Sequence, residues 1–371
     1  MTLLQPIAPT LPSSLDTPTL VIDLDIVERN ALRMASYMAE RDIALRPHVK
    51  THKSVALARI QLDNGAAGIT VGTLGEAEVM ADGGIAGVFL AYPILAAGPK
   101  AARLRALAER AKLRFAVGAD NVNGIDRLAR AMARSRARLR VVLEIDPHYG
   151  RTGIAPEAAG ELARAAQHAG LEVIGVFAHG GHAYAGPDAA TSASDDETDA
   201  LASAAQALRA VGIEPSVVSA GSSPTALRSA RPPVTEMRAG TYLIGDRQQV
   251  AMGASPADGV AIAVVATVVS DSVPNQVVID AGAKSLTKDA PPYLAGFGTI
   301  PAYPDGVIER VSDYHGQVRF PAGARMPKVG EVVAVVPNHA CPVIDLYDTF
   351  LATRSGAVMG RWPVDARGRS G

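Results

Sequence analysis

The sequence predicts a (β/α)8 TIM-type barrel followed by a second, mostly antiparallel β-domain, and three observations carry that reading. From Ile43 to about Ile244, short apolar runs alternate with Ala-, Arg- and Glu-rich stretches of helical character. After about Ala254 the helical stretches give way to Val- and Ile-rich runs separated by turn signals. No Gly-x-Gly-x-x-Gly follows a first strand, which counts against an open dinucleotide-binding sheet. The barrel is expected over residues 25–254, and the β-domain over residues 1–24 plus 255–371.

Taken in order, Thr17–Leu24 is strand-like and precedes the first helix, Ile26–Arg41, so it is assigned to the β-domain rather than the barrel. The barrel's apolar runs after Ile43 are Gly68–Gly72, Gly87–Ala91, Leu113–Val117, Leu139–Asp146, Val173–Ala178 and Ser216–Ser219. Between them lie helical patterns at Ser54–Asn64, Leu74–Gly83, Lys100–Lys112, Asn121–Arg136, Pro156–Gly170 and Asp195–Val211. Alternation at this spacing implies right-handed βα units on a parallel sheet. Six to eight such units in roughly 200 residues suit a closed barrel. Ala189–Asp196 reads as a surface loop that caps the following helix. In the second domain the strand candidates are Val260–Val269, Gln276–Ile279, Val332–Val336, Val343–Leu351 and Ala357–Trp362. Pro274-Asn275, Pro304-Asp305-Gly306 and Ser355-Gly356 are the turns between them.

Composition narrows the function classes. With 371 residues, 48% hydrophobic content and a formal net charge of −1, the chain has a large core and no electrostatic bias toward nucleic acid or an anionic membrane. Aromatics are only 4%, and small aliphatic residues dominate, as expected of tightly spaced strands and helices. No stretch stays apolar for the roughly 20 residues that a membrane span requires. Met1 to Ser14 is Pro-rich and lacks basic residues ahead of an apolar core, unlike a secretory signal. A single cysteine excludes an internal disulfide and fits a reducing cytoplasm.

Three segments carry chemistry. In the first, Ile43, Leu45, Pro47 and Val49 alternate with Ala44, Arg46, His48 and Lys50, so the apolar set faces one way and the polar set the other. Basic groups on the inner face of a buried strand are costly unless something anionic meets them. A lysine so placed is a candidate Schiff-base nucleophile. Charged residues recur at the C-terminal ends of later runs, Glu144 and Asp146, then His179 and His182, where barrel enzymes place their chemistry. The second segment pairs two small-residue turns, Gly221-Ser222-Ser223 and Gly240-Thr241-Tyr242, at the last two barrel strand ends. Glycine admits close backbone approach and a helix N-terminus offers free N–H groups, which suits a phosphate. The third is Asn338-His339-Ala340-Cys341. If it is extended, His339 and Cys341 point to one face and form a metal-ligand pair with open positions.

With these residues in hand, the chain resembles the D-threonine aldolase / D-serine dehydratase family of alanine racemase-type, fold-type III pyridoxal phosphate (PLP) enzymes. The matching pieces are Arg46 to Lys53, Gly68 to Ala77, Ala91 to Ile94, Glu144 to Asp146 and Gly150 to Gly153. Further ones are His179 to Tyr184, Ser219 to Thr225, Asp280 to Lys284, Asp313 to Gly316, and Pro337 to Pro342. They span nearly the whole chain. The resemblance implies a PLP-binding barrel, a second β-domain and a homodimer. Lys50 would form the Schiff base, and Gly221, Ser222, Gly240, Thr241 and Tyr242 would hold the phosphate. Arg151 and Tyr184 would lie around the ring or its 3-oxygen, and His339 and Cys341 would bind a divalent metal near the substrate's hydroxyl. Substrates in the family are D-amino acids with a 3-hydroxyl.

A metal on that oxygen can promote two cleavages. Loss of the hydroxyl proton breaks Cα–Cβ and releases an aldehyde and glycine, the retro-aldol of a D-threonine aldolase. Loss of the α-proton to Lys50 with departure of hydroxide gives a keto acid and ammonia, the dehydration of a D-serine dehydratase. Candidate bases for the hydroxyl proton are His52, His179, His182 and His315. The expectation is the aldolase, with the dehydratase as alternative. The thiol of Cys341 speaks for zinc, which dehydratase members use, over the manganese that aldolase members accept. An amino-acid racemase would need a second acid/base opposite Lys50 and no metal. A non-catalytic PLP carrier would lack the β-domain that Val260–Trp362 predicts.

Overall fold

The computed structural model describes residues 15–371. Residues 1–14, where the absence of a secretory signal was expected, lie outside the described residues. The chain forms two compact units. One holds residues up to Ala31, Thr51–Ala56 and Thr241–Arg367, and the other holds Leu32–Lys50, Leu57–Gly240 and Gly368–Gly371.

In chain order, strand β1 (Thr19–Asp23) and the helix Leu24–Ala39 come first. The parallel-sheet unit then has β2 (Ala44–Leu45), β3 (Ile69–Val71), β4 (Gly87–Pro93), β5 (Arg114–Ala119) and β6 (Arg140–Ile145). It continues with β7 (Glu172–Ala178), β8 (Val217–Ala220) and β9 (Glu236–Met237). Their order is β2-β9-β8-β7-β6-β5-β4-β3. The ring closes because Leu45 and Pro47 carbonyls accept the Ala67 and Thr70 N–H groups, each at 2.8 Å. This is the expected alanine racemase-like barrel. The helices after Thr73, Asn121 and Asp246 start where that side chain satisfies a free N–H group. Thr73 accepts from Glu76 N–H at 3.0 Å while Glu76 accepts from Gly72 N–H at 2.7 Å, a capping box ahead of Leu74–Asp82.

Two kinds of packing hold the sheet. Across β4 to β7, Phe89, Ala116, Val142, Ile174 and Phe177 form one apolar cluster, with the two phenyl rings edge-on at 5.2 Å. Burying each of those rings stabilises the unit by roughly 2–3 kcal/mol. Across β8 and β9 the packing is ionic. Arg46 donates to Glu236 at 2.6 Å, Ser219 donates to Glu236 at 2.8 Å, and Arg238 donates to Ser219 at 2.6 Å and to the Ala178 carbonyl at 2.5 Å. Buried charge is tolerated there because every member has a partner.

The second unit contains β1 and a run of later strands: β10 (Ile262–Ser270), β11 (Gln276–Ile279), β12 (Val307–Val311) and β13 (Gly316–Arg319). It is completed by β14 (Val332–Val335), β15 (Thr349–Arg354) and β16 (Ala357–Pro363). The order is β12-β13-β11-β10-β1-β15-β16, with β14 on β10. β1 runs antiparallel to β10 and parallel to β15, which places Val21 against Val265 and Leu351 in a buried cluster. The other ladders are antiparallel, and Ser355 and Gly356 supply the two positive φ values, 49° and 77°, of a two-residue hairpin turn.

Several element assignments shift. The Ala189–Asp196 segment is not a loop, because the helix runs Ala190–Ala210 and buries Ala193, Ser194 and Glu197. Val343–Leu351 is not one strand. Ala340–Ile344 is a short helix and the strand begins at Thr349. The Lys50 segment is extended for only two residues before a 3-10 turn at Val49–Thr51.

Candidate active site

In the barrel unit the alternation of burial around Lys50 holds although the strand is short. Ile43, Leu45, Pro47 and Val49 are buried, while Ala44 and Lys50 are exposed. The buried placement expected for Lys50 is therefore corrected: the residue is exposed. The turn that presents it is local, with Lys50 N–H donating to His48 Nδ1 at 3.3 Å and His48 N–H donating to the Ala239 carbonyl at 3.3 Å. That second bond brings the Gly240 turn against the lysine segment so closely that a Cβ on Gly240 would lie 2.4 Å from the His48 carbonyl.

At the ends of β7 and β8 the two rim loops meet. His179 Nδ1 lies 3.0 Å from the Gly221 carbonyl, so the neutral ring donates there. Burial first, then Lys50, with smaller contributions from Arg151 and Arg238, pushes the His179 imidazole down to about 3, against the Gly221 hydrogen bond. It is uncharged at neutral pH. Gly221 has φ 137°, a conformation glycine tolerates, and a Cβ there would sit 2.9 Å from Arg238 N. Its N–H is already taken by Glu197 at 2.9 Å. Ser222 is buried, with its hydroxyl 3.0 Å from that of Thr225.

His182 Nε2 lies 3.1 Å from Asp196, while Tyr184, on the same 3-10 turn Gly181–Ala185, is half-buried. Arg151 is exposed, 3.3 Å from Glu144 Oε1 and 5.6 Å from the Tyr149 ring centre. Glu144 is 2% exposed, and burial raises its pKa against the pull of Thr152 and Arg151.

The second unit gathers the other group. His339 precedes the Ala340–Ile344 helix in an extended conformation, and Cys341 sits in that helix's first turn. The extended His-x-Cys pair is thus corrected to a cap-and-helix pair, whose side chains still hydrogen-bond. Asp246 Oδ2 accepts the Ala340 N–H at 2.9 Å, which fixes the helix start. His339 Nδ1 is 2.7 Å from Asp289 Oδ2. Burial alone would lower the imidazole, but Cys341, Asp246 and Asp289 overcome it and raise it to about 10. Cys341 Sγ lies 3.3 Å from Thr51 Oγ1 and 3.8 Å from Thr241 Oγ1. Tyr242 is buried in the 3-10 turn Thr241–Leu243. His52 is fully buried, its Nδ1 accepting the Ser54 N–H at 3.1 Å, and His315 is exposed in the turn between β12 and β13.

Both sets fit the groups the sequence implied. Cations dominate the surroundings of His179 and two glycine turns approach closely, as an anionic phosphate requires. A thiol and an imidazole beside two carboxylates are a donor set that suits a divalent cation. Among the described residues no group of three or more His, Cys, Asp and Glu is disposed to hold a metal.

The chain matches the family model "Alanine racemase, N-terminal domain" over residues 22–248 and "Putative serine dehydratase domain" over 261–353. It is 33% identical to D-threonine aldolase of Arthrobacter sp, covering 96% of this chain and 93% of that one. The chain belongs to this fold-type III PLP enzyme family. Another family member, D-threo-3-hydroxyaspartate dehydratase of Delftia sp. (strain HT23), is 32% identical over 94% of this chain and 97% of its own. The crystal structure of D-threonine aldolase from Filomicrobium marinum superposes with a TM-score of 0.89 at 32% identity, covering 96% and 97%. Family sequence pieces pointed to Lys50, His339 and Cys341. Glu197 and Asp289 were missed, since each depends on a partner distant in sequence, and Arg238 was read only as the start of the Gly240 turn.

Proposed function

We propose that the protein is a PLP- and divalent-metal-dependent lyase that cleaves D-3-hydroxy amino acids to glycine and an aldehyde, as a D-threonine aldolase does. The observation that carries this reading is the cationic setting of His179, which is hydrogen-bonded to the Gly221 carbonyl and acted on by Lys50, Arg151 and Arg238. Its close relatives act on such substrates by name.

When bound, the coenzyme supplies an electron sink for the bond that breaks. Lys50 would hold it through its amine, and Ser222, Gly240, Thr241 and Tyr242 would bind its phosphate. Gly221 shapes the loop rather than donating, because its N–H serves Glu197. Arg151 and Tyr184 orient the ring. His339 and Cys341 would hold zinc or manganese, and Asp289 on Nδ1 fixes the His339 ring. A metal held there would lower the pKa of the substrate's 3-hydroxyl. His182 and His179 are the candidate bases for the hydroxyl proton: Asp196 holds His182 at Nε2, and His179 is neutral with Nδ1 donating to Gly221, which leaves its Nε2 an acceptor. Roles for His52 and His315 as bases find no support in their burial and hairpin positions.

The second reading, dehydration to a keto acid and ammonia, is favoured by one feature, the Cys341 thiol and its affinity for zinc. Purified protein given D-threonine and D-serine, with aldehyde and keto acid assayed in parallel, tests both. Aldehyde without keto acid supports the aldolase, and the reverse outcome overturns it. A homodimer in a reducing cytoplasm completes the proposal, and sedimentation tests the dimer. Among the described residues no helix is long and apolar enough to cross a membrane.

A further inference from the structure

We propose that Glu197 is a positioning residue that locks the two rim loops of the barrel together and thereby sets the phosphate-binding geometry; this rests on the PLP reading above. Glu197 lies in the helix Ala190–Ala210 with no exposed surface. Its carboxylate is held from both loops at once. Oε1 accepts the N–H of Gly180 and the N–H of Gly221, each at 2.9 Å, and Oε2 accepts hydroxyl protons from Thr225 at 3.1 Å and Ser229 at 2.7 Å.

Gly180 opens the turn that carries His182, and Gly221 opens the turn that carries Ser222. A buried carboxylate is retained only where donors compensate its desolvation, and here four do. The same four bonds spend the Gly221 N–H on the protein itself and fix which way Ser222 and Thr225 face. The loop is therefore rigid before any ligand arrives, which spares the ordering cost of binding. Gly180 also packs closely on the helix, where a Cβ would lie 3.1 Å from the Ala193 carbonyl, and Gly221 packs on the β9 end, where a Cβ would lie 2.9 Å from Arg238 N.

The test compares full-length wild type with Glu197→Ala, Glu197→Asp and Glu197→Gln, each freed of coenzyme. Each is titrated with PLP and with pyridoxal, which lacks the phosphate. Glu197→Ala orphans two buried N–H groups and Glu197→Asp pulls the carboxylate short of them, so each is expected to weaken PLP binding about tenfold or more. Pyridoxal affinity should change by less than about threefold, because only the phosphate end depends on the loop. Glu197→Gln keeps an oxygen for both N–H groups and should stay within about threefold of wild type for PLP. Equal losses for PLP and pyridoxal would show a merely structural residue and overturn the proposal, as would unchanged PLP affinity in Glu197→Asp. If Glu197→Ala does not fold, Glu197→Asp carries the comparison alone. A wild type that takes up no PLP overturns the functional reading instead, which separates the two failures.

Discussion

At the scale of single residues, the chemistry rests on an amine that is reachable and an imidazole that is not charged. Lys50 projects from a three-residue turn rather than from a buried strand, so its replacement should leave the core intact. Lys50→Ala is expected to lose turnover and the absorbance band of bound PLP while keeping its melting temperature within about 2 °C, since surface substitutions change stability little. Retention of the band would remove Lys50 from its role. His179 gives a prediction in pH. Its folded value, about 3, lies below the ordinary 6.5, so between those limits the unfolded chain binds the extra proton. Stability from keeping this ring neutral is complete above pH 6.5 and is lost as pH falls toward 3. Urea unfolding of the coenzyme-free protein should show His179→Gln flattening that acid loss by roughly 1–2 kcal/mol. An unchanged slope would show that the ring is not desolvated in solution.

At the scale of elements, the site depends on turns that approach one another within van der Waals contact. Gly240 is the tightest of those flanking Lys50, with a Cβ placed 2.4 Å from a backbone oxygen that cannot rotate away. Gly240→Ala must displace either the His48–Lys50 turn or its own loop, at about 1–3 kcal/mol. A lowered melting temperature together with weaker PLP binding is the expected result, and normal values for both would show the turns to be independent. These contacts also explain what could be read from sequence. The barrel strands were legible because each is a short apolar run between helices, and the Gln276–Ile279 strand has the bounds expected of it. The helix start at Ala190 was hidden because Ala-Thr-Ser-Ala-Ser-Asp-Asp has turn composition, and only burial of Ala193 and Ser194 makes it helical. Strands β12 and β13 were missed for a related reason: exposed Glu309, Arg310 and Arg319 interrupt their apolar alternation. The Ala340–Ile344 helix was read as extended because its start is fixed by Asp246, far away in sequence.

At the scale of the whole molecule, coenzyme and metal are assigned to different sets of side chains, and that separation can be tested. Lys50, Ser222, Gly240, Thr241 and Tyr242 are proposed for the coenzyme, and His339 and Cys341 for the metal. If each ligand is held by its own set, removing one leaves much of the other's binding intact. A chelator should therefore abolish turnover while the coenzyme band persists, and added zinc or manganese should restore the rate. Asp289 sharpens the experiment, since it holds the His339 ring at 2.7 Å without being a proposed ligand itself. Asp289→Asn is expected to weaken metal binding roughly 10- to 100-fold, as loss of a carboxylate behind a metal-bound histidine commonly does. Its PLP affinity should stay at the wild-type value. Turnover that survives exhaustive chelation would remove the metal from the mechanism. Lysine, histidine and the glycine turns would then have to support a reaction without a Lewis acid on the hydroxyl, which returns the choice to a racemase.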